Sequence, residues 1–458
     1  MDGKIVLFDN KKDCCGCRAC ENICPSGAIS MSADDYGFLF PGIDDEKCVK
    51  CGMCLKVCPI KKRDRDISAE AQKPHIKIIN YGTSNNFGAA ITAVCLEQKV
   101  RSLVPDDYIV QTIDYASGKE SWNKSTQRRY QFRARTEFLT LGLEKLDLKK
   151  EKKTVDDTFS HAPSALRNHR YNKFRNQFLN FTERRDNFDL DRDKDNNAAL
   201  ICGSDVIWFP SRIKLQSAKG FYLDFGAENV KRIAFAASLD SAVNFSLMQK
   251  WFAYKKYLKK FEAISVRETA DLKFIQSVTK KEVRKIVDPV FLYESSEFGP
   301  MLAASEEKMP DEEYIYAYIL MNNDKAYEYT LKLAKEKNLK ICYFADFYKD
   351  FGENSVDCYD DGPSEFLNRI KNAKYVVTTS FHCIVFSLIF KKQFIAFDRG
   401  NNSIKIPDVL ETFGIPERLV NPGEEKNIDT VIDFDKTDKL IKKYRAEAVD
   451  FLKESLSE

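Results

Sequence analysis

The sequence predicts an α/β protein in which a small α+β domain precedes a much larger region of alternating strands and helices. Three stretches carry that prediction. Tyr375 to Phe397, YVVTTSFHCIVFSLIFKKQFIAF, reads as strand, helix and strand. A second strand, polar loop and helix run from His75 to Leu96. Nine of the 14 cysteines lie before residue 60, in two runs of the same spacing.

Length and composition bound the rest. A single core rarely grows past ~250 to 300 residues, so 458 residues imply two or three domains, and a 43% hydrophobic content with 33 Phe supplies their cores. A formal charge of +3 is too near neutrality to argue for a nucleic-acid partner. The start, MDGKIVLFDNKKD, lacks the apolar stretch of a secretory signal, and the longest apolar run, around His382, is too short and too polar for a bilayer span. The expectation is a cytoplasmic protein, free or peripheral to the inner membrane face.

Cys14, Cys17 and Cys20 are followed by Cys24-Pro25, and the spacing returns as Cys48, Cys51, Cys54 and Cys58-Pro59. This is the run for two [4Fe-4S] clusters written twice. Three thiolates two residues apart wrap one cubane from a tight loop, and the fourth, before proline, reaches the other cluster. The reading therefore assigns Cys14, Cys17, Cys20 and Cys58 to one cluster and Cys48, Cys51, Cys54 and Cys24 to the second. Zinc or disulfide frameworks suit two such Cys-Pro runs poorly. Residues 1–62 resemble the bacterial-type two-cluster ferredoxins, which implies a reducing compartment. The charged stretch 63–75 reads as a linker.

After the linker, the strand at His75 to Tyr81 runs into GTSNNFGAA, without the glycine spacing of a dinucleotide fingerprint. The strand at Tyr108 to Ile113 ends in Asp114. Basic and aromatic residues mix in Lys124 to Arg135, and charge-rich stretches at 144–157 and 182–197 read as exposed. Ala198 to Cys202 is an apolar strand followed at once by Gly203-Ser204-Asp205-Val206-Ile207-Trp208. Glycine permits the turn, Ser204 and Asp205 offer polar groups, and Trp208 is expected to wall a sugar ring. Arg267 closes the strand AISVRE, where a local acid such as Glu268 is its ordinary partner, and Asp288-Pro289 closes another.

In Tyr375 to Phe397, Thr378, Thr379 and Ser380 offer capping side chains, and His382 falls in the first helical turn. Open parallel sheets bind ligands outside the carboxyl ends of their strands, where N–H groups at helix starts attract anions. Asp435 to Leu456 is a long amphipathic helix.

NNFGA at 85–89, GSDVIW at 203–208, AFAAS at 234–238, ISVRE at 264–268, DPVFL at 288–292 and TSFHCIVFSLIF at 379–390 together resemble the polysaccharide pyruvyl transferase family, in the same order along residues 76 to 440. The resemblance implies two Rossmann-like lobes similar to the GT-B glycosyltransferases, taken as 76–300 and 301–458, the latter with a returning terminal helix. It also implies transfer of pyruvyl from phosphoenolpyruvate onto two hydroxyls of a saccharide acceptor, free or lipid-linked, as a ketal. His382 matches the family's catalytic histidine and Arg267 an arginine associated with the donor. Many members carry arginine where this chain has Ser380, and Arg399 and Lys405, just beyond the next strand, are candidates to supply that charge. Asn86, Gly88, Gly203, Ser204 and Asp205 complete the expected substrate-binding set.

Imidazole titrates near pH 7, so His382 is the expected general acid–base, with Arg267 and the helix start at Ser380 receiving the donor's anions. Pyruvyl transfer moves no electron, so the cysteine domain calls for a redox, regulatory or docking role and a redox partner protein. Two alternatives stand beside this reading: an iron–sulfur electron-transfer oxidoreductase, and an inactive substrate-binding scaffold on the same fold.

Overall fold

The computed structural model describes residues 5–8, 14, 16–34, 37–58, 72–115, 164–191, 193, 196–209, 218–240, 254–346, 349–398, 404–421 and 423–457. Arg399, Cys15, the segments 124–135 and 144–157 and most of the charged linker lie outside these residues. The chain divides into two compact units, Met1–Pro74 with Lys194–Asn196, and His75–Asp193 with Asn197–Glu458.

The first unit pairs β1 (Ile29–Ala33) with β2 (Leu39–Ile43) in an antiparallel hairpin, beside two one-turn helices, Ala19–Ile23 and Met53–Val57. The helices begin at residues in the left-handed region, Arg18 (φ 63°) and Gly52 (φ 70°), so each chain turns sharply between one cysteine and the next. Cys20 and Cys54, in these helices, share a small core with Leu7 and Ile29.

The second unit contains two six-stranded sheets with all ladders parallel. In chain order the first holds β3 (His75–Ile79), β4 (Ile109–Thr112), β5 (Asn197–Gly203), β6 (Lys231–Ala237), β7 (Ala263–Val266) and β8 (Val283–Lys285), with spatial order β4-β3-β5-β6-β7-β8. The second holds β9 (Tyr314–Ile319), β10 (Lys340–Ala345), β11 (Ser355–Asp357), β12 (Tyr375–Thr378), β13 (Gln393–Phe397) and β14 (Leu419–Val420), with spatial order β11-β10-β9-β12-β13-β14. Helices cover both faces, so β3 and β9 are buried at every position, as apolar runs in parallel sheets require. The two expected Rossmann-like lobes are therefore present. In each the strand order reverses once, between β3 and β5 and between β9 and β12. Such crevices are where open α/β sheets hold ligands.

One apolar core runs through both lobes, from Ile76 and Val94 in the first to Phe366, Phe386 and Phe394 in the second. The terminal helix Phe434–Leu456 is capped by Asp433, whose side chain accepts from Lys436 N at 3.0 Å, and it reaches back to the first lobe. Arg445 donates to the carbonyls of Phe291 (2.7 Å) and Tyr293 (2.8 Å), and Arg284 pairs with Glu454 at 2.7 Å. Most described residues of 182–197 are exposed or half-buried, as expected, but the side chain of Asp193 is buried against Lys77. Among the described residues no helix is long and apolar enough to cross a membrane.

Candidate functional site

The carboxyl ends of β3, β5, β6 and β7 meet those of β9 and β12 around a cavity of about 270 Å³. Asn86, Gly88, Asp205, Asp240, Arg267, Ser380, His382 and Lys405 line it, with Tyr318, Phe366 and Phe381 as aromatic walls. Seven of the expected site residues thus share one cavity.

His382 sits in the first turn of the helix Phe381–Ile389. Its Nε2 lies 3.4 Å from Thr92 Oγ1 and 3.7 Å from Asp288 Oδ2. Its other ring edge faces Gly88, where a Cβ would stand 2.1 Å from Cγ and Nδ1. That glycine opens the helix Phe87–Leu103, capped by Asn86, whose side chain accepts from Ala89 N at 3.0 Å. A helix from each lobe therefore presents its first turn to the other, and the imidazole fills the gap between them.

Asp288 is the centre of a polar network. Ser204 Oγ donates to its Oδ2 at 2.8 Å, Arg267 Nη1 to Oδ2 at 2.7 Å, and Thr92 Oγ1 to Oδ1 at 3.2 Å. Burial works against its charge, but His382 and Arg267 outweigh burial and hold the carboxyl well below the ordinary range. Sequence reasoning took Asp288 only as the residue closing a strand. Its position before Pro289, which starts a short 3-10 turn and fixes the direction of the side chain, was the available signal.

Arg267 is almost wholly buried, over the face of Phe381 at 4.1 Å from the ring centre. Its Nε donates to Glu268 Oε1 at 2.7 Å, so two of its nitrogens are held by acids and Nη2 alone is buried without an acceptor. Burial opposes its charge, and Glu268, Asp288 and Asp205 more than offset that opposition. Lys405 pairs with Asp240 at 3.3 Å. Asp205 is held below the ordinary carboxylate range; burial pushes the other way, but Lys405, His382 and Arg267 prevail. The cations of the cavity are thus already paired: Glu268 is the local acid expected beside Arg267, whereas the Asp240 partner of Lys405 had no signal in the sequence.

Two expected roles change. Ser380 occupies the N-cap position, but its side chain makes no cap; instead Thr378 Oγ1 accepts from Ser380 N at 3.0 Å, since the strand's last side chain folds back under the turn. Trp208 is no wall for a ligand. It is fully buried, stacked 5.5 Å from Tyr222, and its Nε1 donates to Phe221 O at 3.1 Å. The turn at Ser204 and Asp205, both at positive φ, directs the ring inward. Gly203 serves packing: a Cβ there would stand 2.1 Å from Leu96 Cδ2.

In the first unit the eight described cysteines are all free thiols, and Cys14 and Cys17 act on Cys20 as Cys48 and Cys51 act on Cys54. Burial raises Cys20, and Cys17 and Cys14 add to it as like charges; Cys54 behaves likewise with Cys48 and Cys51. Cys24 is lowered by Ser26, and its Sγ accepts from Ala28 N at 3.3 Å. Soft thiols in two groups of three, with N–H groups directed at sulfur, fit iron–sulfur clusters.

Two α/β lobes facing an imidazole and a buried carboxylate define a two-lobed enzyme fold preceded by a cysteine-rich unit. The sequence model of the family described as "Polysaccharide pyruvyl transferase" matches residues 86–401, and the chain belongs to that family. A "4Fe-4S dicluster domain" matches residues 13–62. The chain is similar to a component of the ion-translocating oxidoreductase complex of Methanosarcina acetivorans, at 44% identity over 59 residues, 13% of this chain and 20% of that protein. It is also similar to a component of the Na(+)-translocating ferredoxin:NAD(+) oxidoreductase complex of Acetobacterium woodii, at 32% identity over 82 residues, 18% of this chain and 23% of that one. The chain thus spans about a fifth of these curated relatives' length. Among solved structures it is similar to UDP-GlcNAc 2-epimerase from Neisseria meningitidis, with 9% identity, a TM-score of 0.41, and coverage of 84% of this chain and 94% of that one. E. coli ADP-heptose lps heptosyltransferase II gives 10% identity, a TM-score of 0.31, and coverage of 81% and 99%.

Proposed function

We propose that the second unit transfers the pyruvyl group of phosphoenolpyruvate to two hydroxyls of a saccharide as a cyclic ketal. The observation that carries this reading is His382, beside buried Asp288 and in the same cavity as the unpartnered Nη2 of Arg267. A proton donor and an anion-binding donor at one point are what the reaction asks for.

Protonated His382 delivers its proton to C3 of the enol, making the methyl group and leaving C2 electrophilic. One acceptor hydroxyl adds to C2 and its proton returns to the imidazole. The C2–O–phosphate bond then breaks, and the second hydroxyl closes the ring, its proton leaving with phosphate. Of the two hydroxyl protons one replaces that delivered to carbon and one departs on phosphate, so the balance closes. Asp288 lies 3.7 Å from the imidazole Nε2, and Arg267 Nη2 with the N–H groups of Phe381, His382 and Cys383 receives the donor's anions. Ser380 brings no cation, and Lys405, which lines the same cavity, supplies one by exchanging Asp240 for the ligand.

Cys14, Cys17, Cys20 and Cys58, and Cys48, Cys51, Cys54 and Cys24, would hold two [4Fe-4S] clusters, which supply one-electron transfer when present. The transfer reaction uses none of it, so the unit serves to couple the enzyme to a redox partner in a reducing compartment.

Anaerobic incubation with phosphoenolpyruvate and candidate saccharides in D2O tests the reaction. Phosphate release together with a pyruvyl ketal whose methyl carries one solvent deuteron is expected. Phosphate release that leaves the saccharide unchanged would contradict it.

A further inference from the structure

We propose that Arg167 forms a second anion subsite, beside the catalytic cavity, for a phosphoryl or carboxylate group on the acceptor saccharide. This rests on the function proposed above but is read from different residues.

Arg167 lies in the helix Ala165–Phe178 and is 8% exposed. Among the described residues no carboxylate lies within ion-pair distance of it, unlike Arg170 and Arg267, which meet Glu307 and Asp288. Its Nη2 has a single long bond, to Asn85 O at 3.4 Å, and its Nε is buried without an acceptor. The buried Tyr171 hydroxyl is the polar group beside it, and it carries no formal charge to balance the guanidinium. Four ring centres surround the guanidinium, those of Phe344 (4.8 Å), Phe87 (5.2 Å), Tyr359 (5.2 Å) and Tyr171 (5.7 Å). Ring faces recover part of a cation's lost hydration, but a buried charge without a counter-ion remains costly, and a bound anion removes that cost.

The position indicates which anion. Arg167 touches the carbonyl of Asn85 and the ring of Phe87, where the helix Phe87–Leu103 begins. The next residue, Gly88, abuts His382. Arg167 and His382 therefore flank the same helical turn, and Arg167 is not among the residues lining the cavity at the imidazole. Phosphoenolpyruvate held at His382 is too compact to reach round that turn, whereas a saccharide with its hydroxyls at His382 extends beyond it. A guanidinium fork recognises both phosphoryl and carboxylate groups bidentately.

Calorimetric titration of the full, cluster-loaded chain with glucose 1-phosphate, glucuronate and neutral glucose, each in saturating phosphoenolpyruvate, tests this. At least one anionic sugar should bind, glucose should not, and affinity should fall at least tenfold in Arg167→Gln and less in Arg167→Lys. Which anion binds separates a phosphorylated acceptor from a uronate. Arg167→Met, which keeps an apolar stem among the rings, replaces Arg167→Gln where the latter does not fold. Equal affinity in wild type and variant, no binding of either anion to wild type, or displacement of the bound sugar by phosphoenolpyruvate would each overturn the assignment. Loss of ketal formation with this binding intact would instead reject the proposed reaction and leave the subsite standing.

Discussion

Gly88 has no side chain because the imidazole of His382 occupies the space: a Cβ on Gly88 would lie 2.1 Å from the ring. The two residues belong to different lobes, so the cavity is formed only when the helix starts at Phe87 and Phe381 face each other. Gly88→Ala should therefore displace His382 while sparing most of the core. A shift of about 1 Å at a reacting group costs on the order of 10²-fold in rate. We expect kcat to fall by about that factor with a much smaller loss of thermal stability, measured by steady-state kinetics and calorimetry.

His382→Ala should lower turnover sharply and leave the fold intact, because the ring is held by one 3.4 Å contact to Thr92 and a longer one to Asp288. General acid–base groups contribute typically 10²–10⁴-fold. A loss in that range with unchanged circular dichroism is expected.

Asp288→Asn tests the network. Removing a buried charge partner from Arg267 costs about 3–5 kcal/mol. The native pKa of Asp288 is depressed, so its stabilisation is fully present above the unfolded carboxyl pKa of about 4 and shrinks as pH falls below it. In urea titrations the gap between wild type and Asp288→Asn should be widest at pH 7 and narrow below about pH 4.

Cys20→Ser and Cys54→Ser should each remove one cluster, lowering iron from about eight atoms per chain toward four. Anaerobic iron analysis and visible absorbance read the result. Pyruvyl transfer should persist in both variants, since no step of it draws on the cysteines.

Much of this was legible in the chain. Strand ends in small polar residues located Asn86, Gly88, Ser204, Arg267, Ser380 and His382, because parallel sheets place such ends on one side. The cysteine spacing announced the first unit for a related reason: its contacts are local in sequence. What stayed hidden depends on distant partners. Asp288 acquires its role from Thr92, Ser204, Arg267 and His382, residues as many as 196 positions away. Trp208 looked available because its neighbours suggested an open turn, but positive φ at Ser204 and Asp205 turns it into the core. The pairing of Lys405 with Asp240 and the aromatic surroundings of Arg167 draw on separate elements, and no local pattern encodes them.

The most direct test of the central claim is anaerobic calorimetric titration of phosphoenolpyruvate into the cluster-loaded chain and into Arg267→Ala, with clusters reduced and oxidised. Saturable binding that is lost in Arg267→Ala is the predicted result, and an affinity that changes with cluster redox state would give the first unit a regulatory role. Binding of equal strength in wild type and Arg267→Ala, or no binding by wild type in either redox state with a saccharide acceptor present, would contradict a phosphoenolpyruvate site at His382.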